Sequence, residues 1–192
     1  MRARTQSEGQ PHARPLITHT HEIPVSALED AIAENREAAT RLLATARGVA
    51  KEKWAQPVAP GKWSPAQILD HVAAATEVAL KAIKGDTSMG SIPRFLRFIP
   101  RTFGFNATIK KGKFPEKQRG PAAFAPSTGH PSYEAGKLRL ENALTALEQH
   151  TRELAKAGTH SFEHSFFGRV TVADYVRFGA LHMVHHEKQL HS

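Results

Sequence analysis

Apolar residues recur three and four positions apart over four stretches of the chain, the spacing of one face of an α-helix. In the first, Leu28, Ile32, Leu42, Leu43, Ala46 and Val49 predict a helix reaching about Trp54, with Ser26-Ala27-Leu28-Glu29 reading as a capping box at its start. The run Gln56-Pro57-Val58-Ala59-Pro60-Gly61 ends it. The second helix has a sharper start: Ser64 as N-cap, Pro65 as first helical residue and Gln67 as reciprocal capping partner. It extends to about Lys84, ahead of Gly85, and buries Ile68, Val72, Ala75, Thr76, Ala79 and Ile83. His71 falls at the edge of that stripe and Asp70 on the outer side. Ser132 caps a third helix, with Leu138, Leu140, Leu144, Leu147, Leu154 and Ala155 at helical spacing and Gly158 past its end. Thr171 caps the fourth, with Asp174 three residues on and Val172, Val176, Gly179, Met183 and Leu190 sharing one arc.

The connections differ in character. Residues 1–22 carry arginine, proline, glycine and His12, His19 and His21 without an apolar period, and read as a disordered leader. Arg2 and Arg4 precede no apolar stretch, so the leader is no secretory signal. Residues 23–192 then form a single domain. Between Gly85 and Pro131 lies a long link rich in proline, glycine and basic residues, in which Ile92 to Phe103 predicts one or two short helices. A link of this length usually has a role, such as covering a pocket. Phe95, Leu96, Phe98, Ile99 and Phe103 can cap a core or wall a cleft, and the two prolines argue against a clean interfacial membrane helix. Residues 160–170 read as a loop with aromatic anchors. No strand-length alternation and no repeat is visible. The prediction is all-α: four amphipathic helices in an antiparallel up-down bundle, with the long excursion between the second and third.

Composition narrows the chemistry. The 192 residues suffice for one buried core, and no run approaches the length of a membrane span. There is no cysteine, which removes disulfides, thiolate ligands and cysteine nucleophiles and leaves histidine and carboxylate as the strong ligands. The chain reads as cytoplasmic. Its net charge is +8, and residues 86–120 hold eight basic side chains against Asp86 and Glu116. Such a patch can meet phosphates, an anionic membrane surface or an acidic substrate, or simply be a solvated loop. Nothing matches a DNA-reading motif, so no nucleic-acid partner is expected.

The fourth helix carries His182, His185 and His186 within five residues. At about 100° per residue, His182 and His186 lie about 40° apart on the apolar face and His185 points elsewhere. Two imidazoles one turn apart are either a pair of metal ligands or core histidines satisfied by hydrogen bonds. His71 can join them only if depths agree. It sits two turns into the second helix, whereas the pair is near the end of the fourth. In an up-down-up-down bundle those helices are parallel, and a crossover through the 85–131 link would reverse one. Periodicity allows the triad without requiring it. Other patterns are absent: there is no H-E-x-x-H, no paired E-x-x-H and no nucleophile elbow.

Gly61-Lys62-Trp63-Ser64-Pro65-Ala66-Gln67-Ile68-Leu69-Asp70-His71-Val72, Phe167-Gly168-Arg169-Val170-Thr171 and His182-x-x-His185-His186-x-x-Gln189-Leu190 resemble the DinB-like superfamily of metal-binding four-helix bundles, over roughly residues 26–190. Glu187 and Lys188 depart from its pattern, where an apolar residue and arginine are frequent. The resemblance implies a bundle with a crossing link between helices two and three, and a ligand set of His71, His182 and His186. Three imidazoles suit zinc, nickel or another late divalent ion, and leave a position open for water or substrate. His185 is then a surface residue or a support to the ligands. Gln189 is the nearest polar candidate to orient bound water, or a plain helix-end amide. His164 can reach the mouth of the site, or is an ordinary loop histidine.

The function implied is a metal-dependent enzyme acting on a small molecule, with the site activating a low-molecular-weight thiol or water, as an S-transferase or hydrolase. Metal coordination deprotonates a thiol, and a chain without cysteine is compatible with an external one. The arginines of the link are candidates to hold an acidic co-substrate. The competing expectation is a non-enzymatic, stress-related bundle in which metal only adds stability or the basic segment recruits a partner. A homodimer is compatible with such bundles but has no signature here.

Overall fold

Ser64 accepts a hydrogen bond from the Gln67 amide, and the Gln67 side chain caps the Ser64 amide in return, so the second helix starts where the sequence places it. The computed structural model describes residues 25–86, 90–115 and 129–191. The leader with His12, His19 and His21 lies outside the described residues, as do Glu116, Lys117 and Arg119 of the basic segment. Four long helices make up the bundle: α1 (Val25–Arg47), α2 (Pro65–Ile83), α4 (Tyr133–Lys156) and α5 (Val172–Gln189), the last two being the third and fourth of the sequence pattern. The link contributes a 3-10 turn (Arg94–Leu96), a π-helical stretch (Pro100–Asn106) and the short α3 (Ala107–Lys111). No helix among the described residues is long and apolar enough to cross a membrane.

Ion pairs fix the helix directions. Glu34 and Arg41 of α1 meet Arg177 and Glu187 of α5 in the same order, so these neighbours are parallel. On α2 and α4, Leu69 lies against Gly136 and Asp70 against Arg139, while Ile83 and Leu147 share a cluster further along. That pair is parallel too. By contrast Glu29 pairs with Arg152 and Arg36 with Glu148, so α1 and α4 are antiparallel. The bundle is up-down-down-up rather than the expected antiparallel up-down arrangement, and two consecutive parallel helices require the chain to return along their full length. The 84–132 link does this, as the predicted crossover requires. It also brings the start of α2 level with the end of α5.

Among the described residues the core falls into three clusters along the helices. Leu42, Leu69, Val72, Leu140 and Met183 bury the end that holds the histidines. Leu28, Ile32, Val172 and Val176 fill the opposite end of the α1–α5 seam. Gly136 lets α2 and α4 approach, since a Cβ there would stand 2.7 Å from a Leu69 methyl.

Several expectations are corrected. Val25 is already helical, so Ser26 lies inside α1. That helix stops at Arg47 rather than near Trp54, because Ala50 turns extended (φ −59°, ψ 140°) and Lys51–Lys53 form a separate 3-10 turn. Asp70 is not on an outer face: it is buried and its Oδ1 accepts from Arg139 Nη1 at 2.6 Å, because α2 packs on α4 there. Leu138, assigned to an apolar stripe, is exposed. The 160–170 loop is an antiparallel hairpin of β1 (Ser161–His164) and β2 (Gly168–Thr171), too short for alternation to register. Phe95, Leu96, Phe98, Ile99 and Phe103 cap no core and are exposed. Phe105 turns inward instead, against Phe167 and Phe178.

Candidate metal centre

The phase of α2 is set by its cap, and seven residues on from Ser64 that phase aims His71 into the bundle. Residues one turn apart on α5 do the same from the other side. His71, His182 and His186 converge, each offering one nitrogen, with all three within 4.8 Å of one another. The approach is through Nε2: His71 to His182 at 3.2 Å and His186 to His182 at 3.0 Å. In a tetrahedral zinc site with bonds of about 2.05 Å, ligand nitrogens stand about 3.3 Å apart. Two of the three separations are close to that value and the third lies within 4.8 Å, so the three rings are near enough to close on a cation of this size.

The electrostatics favour neutral rings. His71 and His186 are buried and His182 partly so. Burial is the main cause that pushes His182 well below the usual histidine range, followed by the neighbouring His186. Burial likewise brings His186 down to about 3, with His71 adding to the shift. Neutral imidazole is the metal-binding form. His182 and His186 also stand in the last two turns of α5, whose dipole favours positive charge.

Gln189 supplies orientation. Its Oε1 accepts from Nδ1 of His186 at 2.9 Å, which leaves the Nε2 lone pair of that ring facing inward. Its amide nitrogen donates to Nε2 of His185 at 3.0 Å. His185 is therefore outside the converging group and linked to it through Gln189. The amide thus touches the rings from behind, on the far side from the three converging nitrogens.

His164 is elsewhere. At the end of β1 it is buried, with Nε2 donating to the Tyr175 hydroxyl at 3.1 Å and Nδ1 accepting from the Phe166 and Phe167 amides at 3.1 and 3.2 Å. Burial lowers its pKa to about 4, with Arg97 contributing. The ring is saturated by the hairpin turn it shapes.

Two wall residues escaped the sequence reading. Trp63 stacks on His186 with centroids 5.8 Å apart and lies 4.8 Å from His71. Phe114, just after α3, lies 5.3 Å from His182 and 5.9 Å from His185. Trp63 had a readable signal, since it immediately precedes the helix cap and must follow α2 in direction. Phe114 had none, because only the return of the link brings it to α5.

Comparison with known proteins bears on this arrangement. The family model described as the DinB superfamily matches residues 31–190. Among solved structures, the four-helix bundle protein TT2238 is similar at 21% identity and a TM-score of 0.51, covering 85% of this chain and 98% of its own. No curated protein matches the chain.

Proposed function

On the premise that the chain belongs to the DinB superfamily, we propose that His71, His182 and His186 hold a late divalent cation such as zinc or nickel and that the site is enzymatic. The substrate is a small molecule, and the open coordination position takes a low-molecular-weight thiol or water, for S-transfer or hydrolysis. The observation that carries this reading is the mutual approach of three imidazole nitrogens, with Nδ1 of one ring already anchored by Gln189. When bound, such a cation acts as a Lewis acid and lowers the pKa of a coordinated thiol or water.

The chain's own residues account for the rest. His71 is delivered by a helix start that cannot drift in register. Gln189 fixes the ring plane of His186, and Trp63 and Phe114 shield two sides of the group from water. Lys110, Lys111 and Lys113 are exposed close in sequence to the Phe114 wall and in this reading meet the carboxylates of an acidic thiol.

Metal analysis of the purified protein tests the proposal together with the visible spectrum of a cobalt-substituted form. About one equivalent of metal is expected, with the cobalt bands shifting on addition of a carboxylate-bearing thiol such as glutathione. A protein that takes up no divalent ion, and whose melting is unmoved by chelator, overturns it. Metal bound tightly but blind to thiols and to added substrate supports the non-enzymatic alternative.

A further inference from the structure

The link between α2 and α4 exposes large apolar side chains on consecutive helical turns: Phe95 (76% exposed), Phe98 (59%), Phe103 (71%), with Ile99 and Leu96 beside them. Phe95, Phe98, Ile99 and Phe103 recur one to four residues apart from the 3-10 turn into the π-helical stretch, so each turn of the segment carries one of them. Leu138 is the only other large hydrophobic this exposed among the described residues. Taken together the side chains present roughly 500 Å² of apolar surface, the size at which a patch marks an interaction site.

The charges are arranged around it. Residues 90–115 contain six cations and no carboxylate. Arg97 is turned inward, with Nη1 donating to Glu163 at 3.0 Å and Nε to the Ile92 carbonyl at 3.1 Å, which ties the segment to the β-hairpin. Arg94 and Arg101 are exposed beside the apolar residues, Arg94 one and four positions from Phe95 and Phe98 and Arg101 two positions from both Ile99 and Phe103. The prolines do not break this face. Pro93 is the N-cap of the 3-10 turn and Pro100 the first residue of the π-helical stretch, where no internal hydrogen bond is lost.

We propose that this face is a peripheral docking surface for an anionic phospholipid bilayer, with Phe95, Phe98 and Phe103 entering the headgroup boundary and Arg94 and Arg101 meeting lipid phosphates. A second copy of the chain is a poorer occupant. Two such faces would oppose their arginines, and roughly 500 Å² a side falls short of the roughly 800 Å² usual for a stable pair. The chain as a whole is cationic as well, which draws it to an anionic surface.

Co-sedimentation of the full chain with vesicles decides the matter, using phosphatidylcholine alone and with about 30% phosphatidylglycerol. Binding to the anionic vesicles is expected, with little to the neutral ones, and loss of binding at high salt. Replacing all three phenylalanines (F95S, F98S, F103S) should weaken it at least about 10-fold, and R94E with R101E by about 10-fold or more. Both variants should leave helicity and Tm unchanged, because the side chains are exposed. No binding of the full chain to anionic vesicles overturns the proposal, as does equal binding to both compositions. A concentration-dependent dimer that the triple variant abolishes also overturns it, in favour of self-association.

Discussion

Among the described residues imidazole is buried in two places, and the two differ in what their nitrogens face. At His164 every nitrogen has a partner supplied by the fold: two backbone amides on Nδ1 and the Tyr175 hydroxyl on Nε2. At His71, His182 and His186 the Nε2 atoms face one another. Hydrogen bonding alone closes such a group only if one ring takes the Nε2–H tautomer and its single proton serves both neighbours, whereas one cation satisfies all three at once. Burial lowers the basicity in both places, so the shift itself does not separate them. The partner of each lone pair does. A buried histidine whose bonds close within the fold is part of its framework; one whose lone pair meets other lone pairs is a candidate ligand.

The comparison breaks most visibly under substitution of the converging rings. His186→Ala or His71→Ala should lower zinc affinity by about 1,000-fold or more, exceeding the 10–100-fold usual for a supporting residue, as read by isothermal titration. Chelator should then no longer move the melt of the variant. For the unaltered protein, metal in 100-fold excess over Kd contributes about 2.7 kcal/mol, or roughly 5–10 °C in Tm.

His164→Ala should behave in the opposite way. It strips the hairpin turn of its acceptor and Tyr175 of its donor, at about 2–3 kcal/mol by chemical denaturation, while zinc affinity stays within about 2-fold. If zinc affinity fell with stability, the two places would not be independent.

Gln189→Ala sharpens the contrast from the other side. Zinc affinity should fall about 10–100-fold with stability nearly unchanged, and Gln189→Glu, which keeps the acceptor for Nδ1 of His186, should recover most of it. An affinity unchanged in the alanine variant would make the amide a bystander.

The last effect is on pH dependence. The folded pKa of His164, about 4, lies below the unfolded value of about 6.5, so the fold holds the neutral ring. Its contribution is complete above about pH 6.5 and is lost as pH falls through about 4, because the unfolded state takes up the proton first. In metal-free protein, His164→Asn should flatten the stability profile over that window by roughly 2–3 kcal/mol. An unchanged slope would mean that His164 is solvated in the folded state.

Much of this was legible in the residues. Ser64-Pro65-Ala66-Gln67 specified where α2 starts, and with it the direction of His71, because a capping box fixes helical phase by local hydrogen bonds. The Thr171 cap did the same for α5: its hydroxyl accepts from the Asp174 amide at 3.1 Å. The one-turn spacing of His182 and His186 followed from helical period alone. The four helices and the long link between the second and third were readable for the same reason, since each depends on contacts within a few residues.

What tertiary structure alone decided is everything that depends on how distant segments pair. Asp70 was assigned to solvent because its own helix cannot show that Arg139 approaches from α4. The hairpin at 161–171 was missed because a side chain, His164, organises its turn. Phe105 turned inward and Phe95, Phe98 and Phe103 outward according to where the link crosses the bundle, and a run of mixed aromatic and basic residues carries no period that distinguishes them. The level at which α2 meets α5 belongs here too. Local sequence sets the direction in which a side chain leaves its helix, but only the parallel return of the chain from α2 to α4 sets which two ends of the bundle lie side by side, and so brings His71 to the other two rings.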